Sequence, residues 1–519
     1  MTADLVIRNG TVYDGTGGME RVADVFVSNG RILAIEDELD VDCREVDATD
    51  YAVAPGFIDI HSHSDYTLLV DPRAVSAIHQ GVTLEVVGNC GFGCFPIGDP
   101  AVARRAIYGY SDDSVPITWD SAGGYFARLE EALPAVNVLS LVPNGQLRLA
   151  TVGLADRAAT TGELSGMQRL LRESLAEGAW GFSTGLEYAW ESGATEAEVT
   201  ALAAYAPFYA THTRNRDEAA GEAVAEALRV GRNADVRVQI SHLVPRNGDE
   251  DARKCAGLVD AARADGIDVA FDMHTRTFGF TYLSAALPGW ALGAAPAELR
   301  SMLADSSARE RMRAHRSILS ALGDWSRIVI LDNPVWPQYA RRDLQAIADE
   351  RSQSPLDAVY DLLLGGVDHL NELMVIMHSY SEQQQRDAFT HPLCVPGSDA
   401  TTLAPTGRLA TSLFHGAYTW AAWYWRYMVR DNGLLTPAEA VHRMTGRPAE
   451  RLGVTDRGVL KEGARADIVV FDPAGFEERG TTFEPNQLAV GVAHVFVNGV
   501  HTLDRGALTG DRAGMVLRR

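Results

Sequence analysis

His61 and His63 follow an apolar run at 56–60, and residues two apart on a strand face the same way, so both imidazoles can reach one ion. Cys90 follows a second run at 83–87, within Gly88-Asn89-Cys90-Gly91. His212, His242 and Asp399 stand at the ends of three further runs, at 208–211, 236–241 and 392–397. A lone histidine is most often a satisfied structural residue. Six residues of metal-ligand type, all at the ends of strand-like runs, instead suit a site that binds a metal and activates water. His79, His369, His442 and His494 lie away from such ends and read as structural or surface residues. The pattern alone does not place His274, His378 or His415.

The elements that must position these residues are legible as alternation. Eight apolar runs, at 56–60, 83–87, 137–142, 179–183, 208–211, 236–241, 267–272 and 392–397, are separated by alanine-rich amphipathic stretches. Most intervals leave room for one strand and one helix, and eight such units close a parallel barrel. The expected fold is α/β, a (β/α)8 TIM-like barrel whose strand tips converge on one catalytic mouth. The gap from Asp272 to Pro392 is too long for one helix, so an insertion is expected between strands 7 and 8, at about 278–390. The first fifty residues read as short strands punctuated by Asn9-Gly10 and Asn29-Gly30, each a hairpin signal. The same texture returns at 466–471 and at 495–499. A small β-sandwich assembled from both termini is therefore expected, with 1–53 and 455–519 contributing to it and 54–454 forming the barrel.

The chain of 519 residues carries 46 basic against 69 acidic residues, a formal net charge of −23. A field of that sign repels phosphate backbones and anionic lipid, so neither nucleic acid nor membrane is an expected partner. No run approaches the roughly 18 apolar residues of a spanning helix, and the start lacks the features of a signal peptide. Five scattered cysteines do not form a disulfide framework, so a reducing cytoplasm is the expected setting. Lysine occurs only at Lys254 and Lys461.

The motifs resemble the amidohydrolase superfamily, and within it the D-aminoacylase (N-acyl-D-amino-acid deacylase) family. They are Gly56-Phe57-Ile58-Asp59-Ile60-His61-Ser62-His63-Ser64-Asp65, Gln80-Gly81-Val82-Thr83 and Gly88-Asn89-Cys90-Gly91-Phe92. Further matches are 181–188 (ending Glu187-Tyr188), Thr211-His212-Thr213-Arg214, Ser241-His242, Gly397-Ser398-Asp399 and the tail segments 466–472 and 497–499. The resemblance thus covers nearly the whole chain, and Gly-Asn-Cys-Gly is its most diagnostic part. It implies one tightly bound zinc on Cys90, His212 and His242. His61, His63 and Asp399 would outline a second, weaker metal site, and Asp399 would be the general acid/base. Many superfamily members bridge two metals with a carboxylated lysine on the fourth strand; no lysine stands there, and a thiolate at Cys90 can bind the ion instead. Cys94 reads as packing.

The resemblance implies hydrolysis of the amide bond of an N-acyl-D-amino acid or a similar N-acyl compound, a small-molecule substrate. It weakens at the substrate end. Leu243 and Val244 follow His242 where the family carries a lysine. Asp272-Met273-His274-Thr275-Arg276 replaces an Asp-x-Tyr-Pro-Tyr segment, and Pro143-Asn144-Gly145 replaces Pro-His-Gly. A cyclic amide, a urea or another C–N substrate on the same scaffold is the alternative these changes permit. Arg276, Tyr188 and His274 are the expected substrate contacts, Arg276 as a bidentate grip on a carboxylate.

Overall fold

The computed structural model describes residues 3–37, 42–108, 114–246 and 248–519. Eight strands alternate with helices along the middle of the chain: β1 (Phe57–Asp59), β2 (Val82–Val87), β3 (Asn137–Pro143), β4 (Gly181–Gly185), β5 (Phe208–His212), β6 (Arg237–Ile240), β7 (Val269–His274) and β8 (Cys394–Gly397). Each pairs in parallel with the next in chain order. The ring closes just beyond the tips, where Asp399 donates its backbone N–H to the His61 carbonyl at 2.9 Å and His63 donates to Ala400 at 2.8 Å. The strands are near-continuous apolar runs because both faces are covered. Leu84, Val86, Leu139, Leu141, Phe208 and Ala210 pack into one cluster with Ala449 and Leu452, from the helix Gly446–Leu452. Residues of the other parity, such as Phe182, Tyr209, Val238 and Ile240, join the larger core. The helix Gly446–Leu452 sits at the N-terminal ends of the strands: its Leu452 carbonyl accepts from Trp180 and its Glu450 carbonyl from Arg237. The opposite, C-terminal ends are left for the ligand-type side chains.

The two chain ends meet in one mixed nine-stranded sheet. Ala52–Pro55 pairs antiparallel with Ile468–Phe471, joining the N-terminal strands to the C-terminal ones over a core that includes Ile7, Val25, Val27, Val470 and Phe496. Asn29-Gly30 and Asn498-Gly499 are two-residue hairpin turns with both residues at positive φ, as their sequence predicts. Asn9-Gly10 is not a turn. It is an irregularity inside the strand Leu5–Val12, where Asn9 donates to Asp24 at 2.9 Å. A Cβ on Gly10 would lie 2.3 Å from Val53, so close approach of the neighbouring strand accounts for this glycine.

Between β7 and β8 runs a three-stranded antiparallel sheet, Phe278–Tyr282, Met374–His378 and Ile328–Ile330, with the helices Pro296–Ala304, Ser306–Arg313, Leu344–Glu350 and Pro355–Gly365. Its core packs against Cys90, Phe92, Tyr108 and Trp190, so this segment lies over the barrel mouth. Among the described residues no helix is long and apolar enough to cross a membrane.

Candidate metal centre

Cys90 reaches the mouth through a tight turn after β2. Gly88, Cys90 and Gly91 all adopt positive φ, of 80°, 53° and 71°. A Cβ on Gly91 would stand 1.7 Å from a Glu191 carboxylate oxygen, so only glycine fits. Asn89 ties the turn down by donating to the Val86 carbonyl at 2.9 Å. The non-glycine residues at positive φ include His242 (35°) and Asp399 (43°). Three of the six ligand-type residues thus hold a backbone conformation that costs free energy on its own, as strained functional positions do.

The Cys90 sulfur is buried 3.6 Å from His242 Nε2, and one ligand atom each of Cys90, His212 and His242 lie within 4.8 Å of one another. His212 places Nε2 2.8 Å from Glu187 Oε2, which leaves its buried Nδ1 without a hydrogen-bond partner among the described residues. That orphaned nitrogen, a thiol and a second imidazole are a donor set that fits zinc, with a position left over for water. Burial pushes both histidines below the usual imidazole range, His242 well below, so their lone pairs are free.

His61, His63 and Asp399 gather beside this set. Asp399 Oδ1 lies 3.5 Å from His61 Nε2 and 3.3 Å from His63 Nε2. His61 Nε2 is also 3.2 Å from the Cys90 sulfur, so His61 stands between the two groups. Its Nδ1 faces Asp272 at 2.9 Å, which fixes the ring. Burial works against the Asp399 charge, but His63, Arg276 and His61 outweigh it and hold the carboxyl well below the usual carboxylate range. Asp399 keeps 19% of its side chain exposed and is thus reachable from the mouth.

Arg276, expected to grip a substrate carboxylate, is instead engaged with the protein. Its Nη1 donates to Ser398 O at 2.6 Å and its Nη2 to Asp399 O at 2.9 Å and Oδ2 at 3.0 Å, leaving Nε without a partner among the described residues. Arg276 reaches the mouth as its place in the chain predicts, but Asp399 already occupies it. Tyr188 lies over His212, with ring centroids 4.7 Å apart, and His274 places Nε2 4.0 Å from Asp399 Oδ2. His415 Nδ1 lies 3.1 Å from the Thr419 hydroxyl and its ring packs on Phe278, and His378 is exposed, so neither joins the cluster. Cys94 is buried in the core, as expected of packing.

Sequence reasoning missed Glu187 and Asp272 as supports. Glu187 joins His212 to the buried Arg246, and its own carboxyl, despite burial, is held at about 2 by Arg246 and His212. The available signal was its place two residues past β4. A third group, His494, His501 and Asp504, lies in the terminal sheet. There Arg44 donates to Nδ1 of His501, so Nε2 keeps its proton and offers no lone pair to an ion.

A family model described as the Amidohydrolase family matches residues 44–315 and 386–502, and the chain belongs to that family. It is a metal-dependent amidohydrolase of the D-aminoacylase type. An N-acyl-D-glutamate deacylase of Alcaligenes xylosoxydans xylosoxydans is 33% identical, over 99% of this chain and 96% of the relative. A solved D-aminoacylase, described as defining a novel subset of amidohydrolases, superposes with a TM-score of 0.82 at 30% identity over the full length of both chains. For D-aminoacylase a binuclear metal centre is described, with one-metal activation and second-metal attenuation. An N-acyl-D-glutamate deacylase of Bordetella bronchiseptica, solved with zinc and a phosphonate mimic of the tetrahedral intermediate, gives 0.81 at 31% identity, again over both full lengths.

Proposed function

We propose that this chain hydrolyses the amide bond of an N-acyl compound, an N-acyl-D-amino acid in the first instance, with one zinc held tightly by Cys90, His212 and His242. The convergence of those three side chains within 4.8 Å, beside the ionised Asp399, carries the reading. His61, His63 and Asp399 form the second, weaker site. A bound zinc supplies Lewis acidity toward the amide carbonyl and toward water. Asp399 accepts the proton of the attacking water and passes it to the departing nitrogen. Arg276 holds Asp399 in place for that exchange, and Glu187 orients His212. Tyr188 and His274 flank the bound substrate.

The test is turnover of N-acyl-D- and N-acyl-L-amino acids, hydantoins and ureas by the zinc-loaded protein, repeated with Asp399→Asn. The D-series is expected to be cleaved, and the variant to lose at least about a hundredfold in kcat while retaining tight zinc. Near-normal turnover in the variant would move the proton transfer to His274. Preferential opening of hydantoins would select the cyclic-amide alternative.

A further inference from the structure

A cavity of 340 Å³ adjoins the metal centre, its wall formed in part by Phe92, Tyr108, Tyr188 and Trp190. The Tyr108 and Tyr188 rings stand 4.6 and 4.7 Å from those of His63 and His212, so the aromatic wall is continuous with the metal cluster. Leu287, Leu292 and Ile318, from the segment between β7 and β8, extend the apolar lining. Amide hydrolysis itself needs only a few atoms at the metal, so this space is available to the rest of the substrate.

Arg105 lines the same cavity and also a neighbouring groove, none of whose lining residues belongs to the metal cluster. It therefore stands at the wall away from the metal. Arg105 is half-buried, and its one hydrogen bond among the described residues, Nη2 to Ala294 O, is long at 3.4 Å. No carboxylate among the described residues lies within ion-pair distance of it. The acids on the groove side are already taken: Asp332 pairs with Arg341, Asp368 with Arg300 and Glu372 with His369. At the metal the reverse holds, since Arg246 is bound by Glu187 and Asp217 and Arg276 by Asp399. A half-buried cation with no counter-ion among the described residues is costly, and is the more unusual in a chain with 23 excess acids.

We infer that the cavity receives a substrate substituent that is apolar or aromatic along its length and ends in a carboxylate, read by Arg105. This rests on the amide-hydrolase reading above. The apolar body gains from contact with the aromatic wall, and the tip supplies the missing counter-ion through charge-assisted hydrogen bonds.

Two matched pairs of amides test the inference on zinc-loaded protein. In one, N-suberyl- and N-octanoyl-D-alanine differ only at the tip of the acyl chain. In the other, N-acetyl-D-4-carboxyphenylalanine and N-acetyl-D-phenylalanine differ only at the tip of the side chain. In at least one pair kcat/KM should favour the charged tip by about tenfold or more. Arg105→Met should collapse that ratio to within about threefold, chiefly through KM, and Arg105→Lys should restore part of it. Equal kcat/KM within both pairs in the unmutated protein, or a ratio that Arg105→Met leaves intact, overturns the inference while leaving the hydrolase reading in place. Cleavage of none of the four overturns the N-acyl reading itself, and the inference with it.

Discussion

Glu187 and Asp272 show what a metal centre needs beyond its ligands. Glu187 leaves His212 one nitrogen for an ion, and Asp272 does the same for His61. Glu187→Gln removes the charge that holds His212 and leaves Arg246 with Asp217 alone. Zinc affinity, measured by competition with a chelator, should fall about 10- to 100-fold. Unchanged affinity would mean that Arg246, not His212, is the reason for this acid. The six ligand-type residues were legible because their types and strand-end positions carry the chemistry directly. Glu187 and Asp272 were not, because their partners lie 25 and 211 residues away and no local pattern links them. For Arg276, spacing put a guanidinium near the mouth but could not show its hydrogen bonds to Ser398 and Asp399, which join segments more than a hundred residues apart.

At the scale of elements, the barrel strands were legible as buried apolar runs, and the hairpins at Asn29-Gly30 and Asn498-Gly499 as turn chemistry. Asn9-Gly10 failed as a hairpin signal because the same dipeptide also suits a bulge where a neighbouring strand crowds the backbone. One clamp at the N-terminal ends of the strands has a consequence for stability. Asp268, just before β7, bonds Arg237 at 2.7 Å, Arg263 at 2.6 Å and also Arg451, tying β6 and two helices together. Partial burial raises its carboxyl, but the three arginines outweigh that and lower it to about 2. An unfolded aspartate titrates near about 3.9, so the clamp's contribution is whole above that value and is lost as the pH falls toward 2. Asp268→Asn should lower Tm at neutral pH, and the gap from the parent should narrow as the pH falls from about 4 toward about 2. A gap that stays constant across that range would show that the ionised clamp does not stabilise the fold.

For the whole molecule, the sequence located the barrel, the terminal sheet and the long segment between β7 and β8. It could not show what that segment contains, because short strands such as Ile328–Ile330 pair across distances that periodicity does not report. The segment supplies much of the cavity wall and the barrel supplies the ligand-type residues. The part of the chain that was least legible therefore stands nearest the question of substrate. With no lysine on β4, the account depends on sulfur: Cys90 must be a ligand of the tight ion. X-ray absorption at the zinc edge, on protein loaded with one equivalent, tests this directly. The account predicts one sulfur near about 2.3 Å with nitrogen or oxygen neighbours near about 2.0–2.1 Å, and loss of the sulfur shell together with tight binding in Cys90→Ala. A first shell of nitrogen and oxygen alone, or full zinc content in that variant, would contradict it.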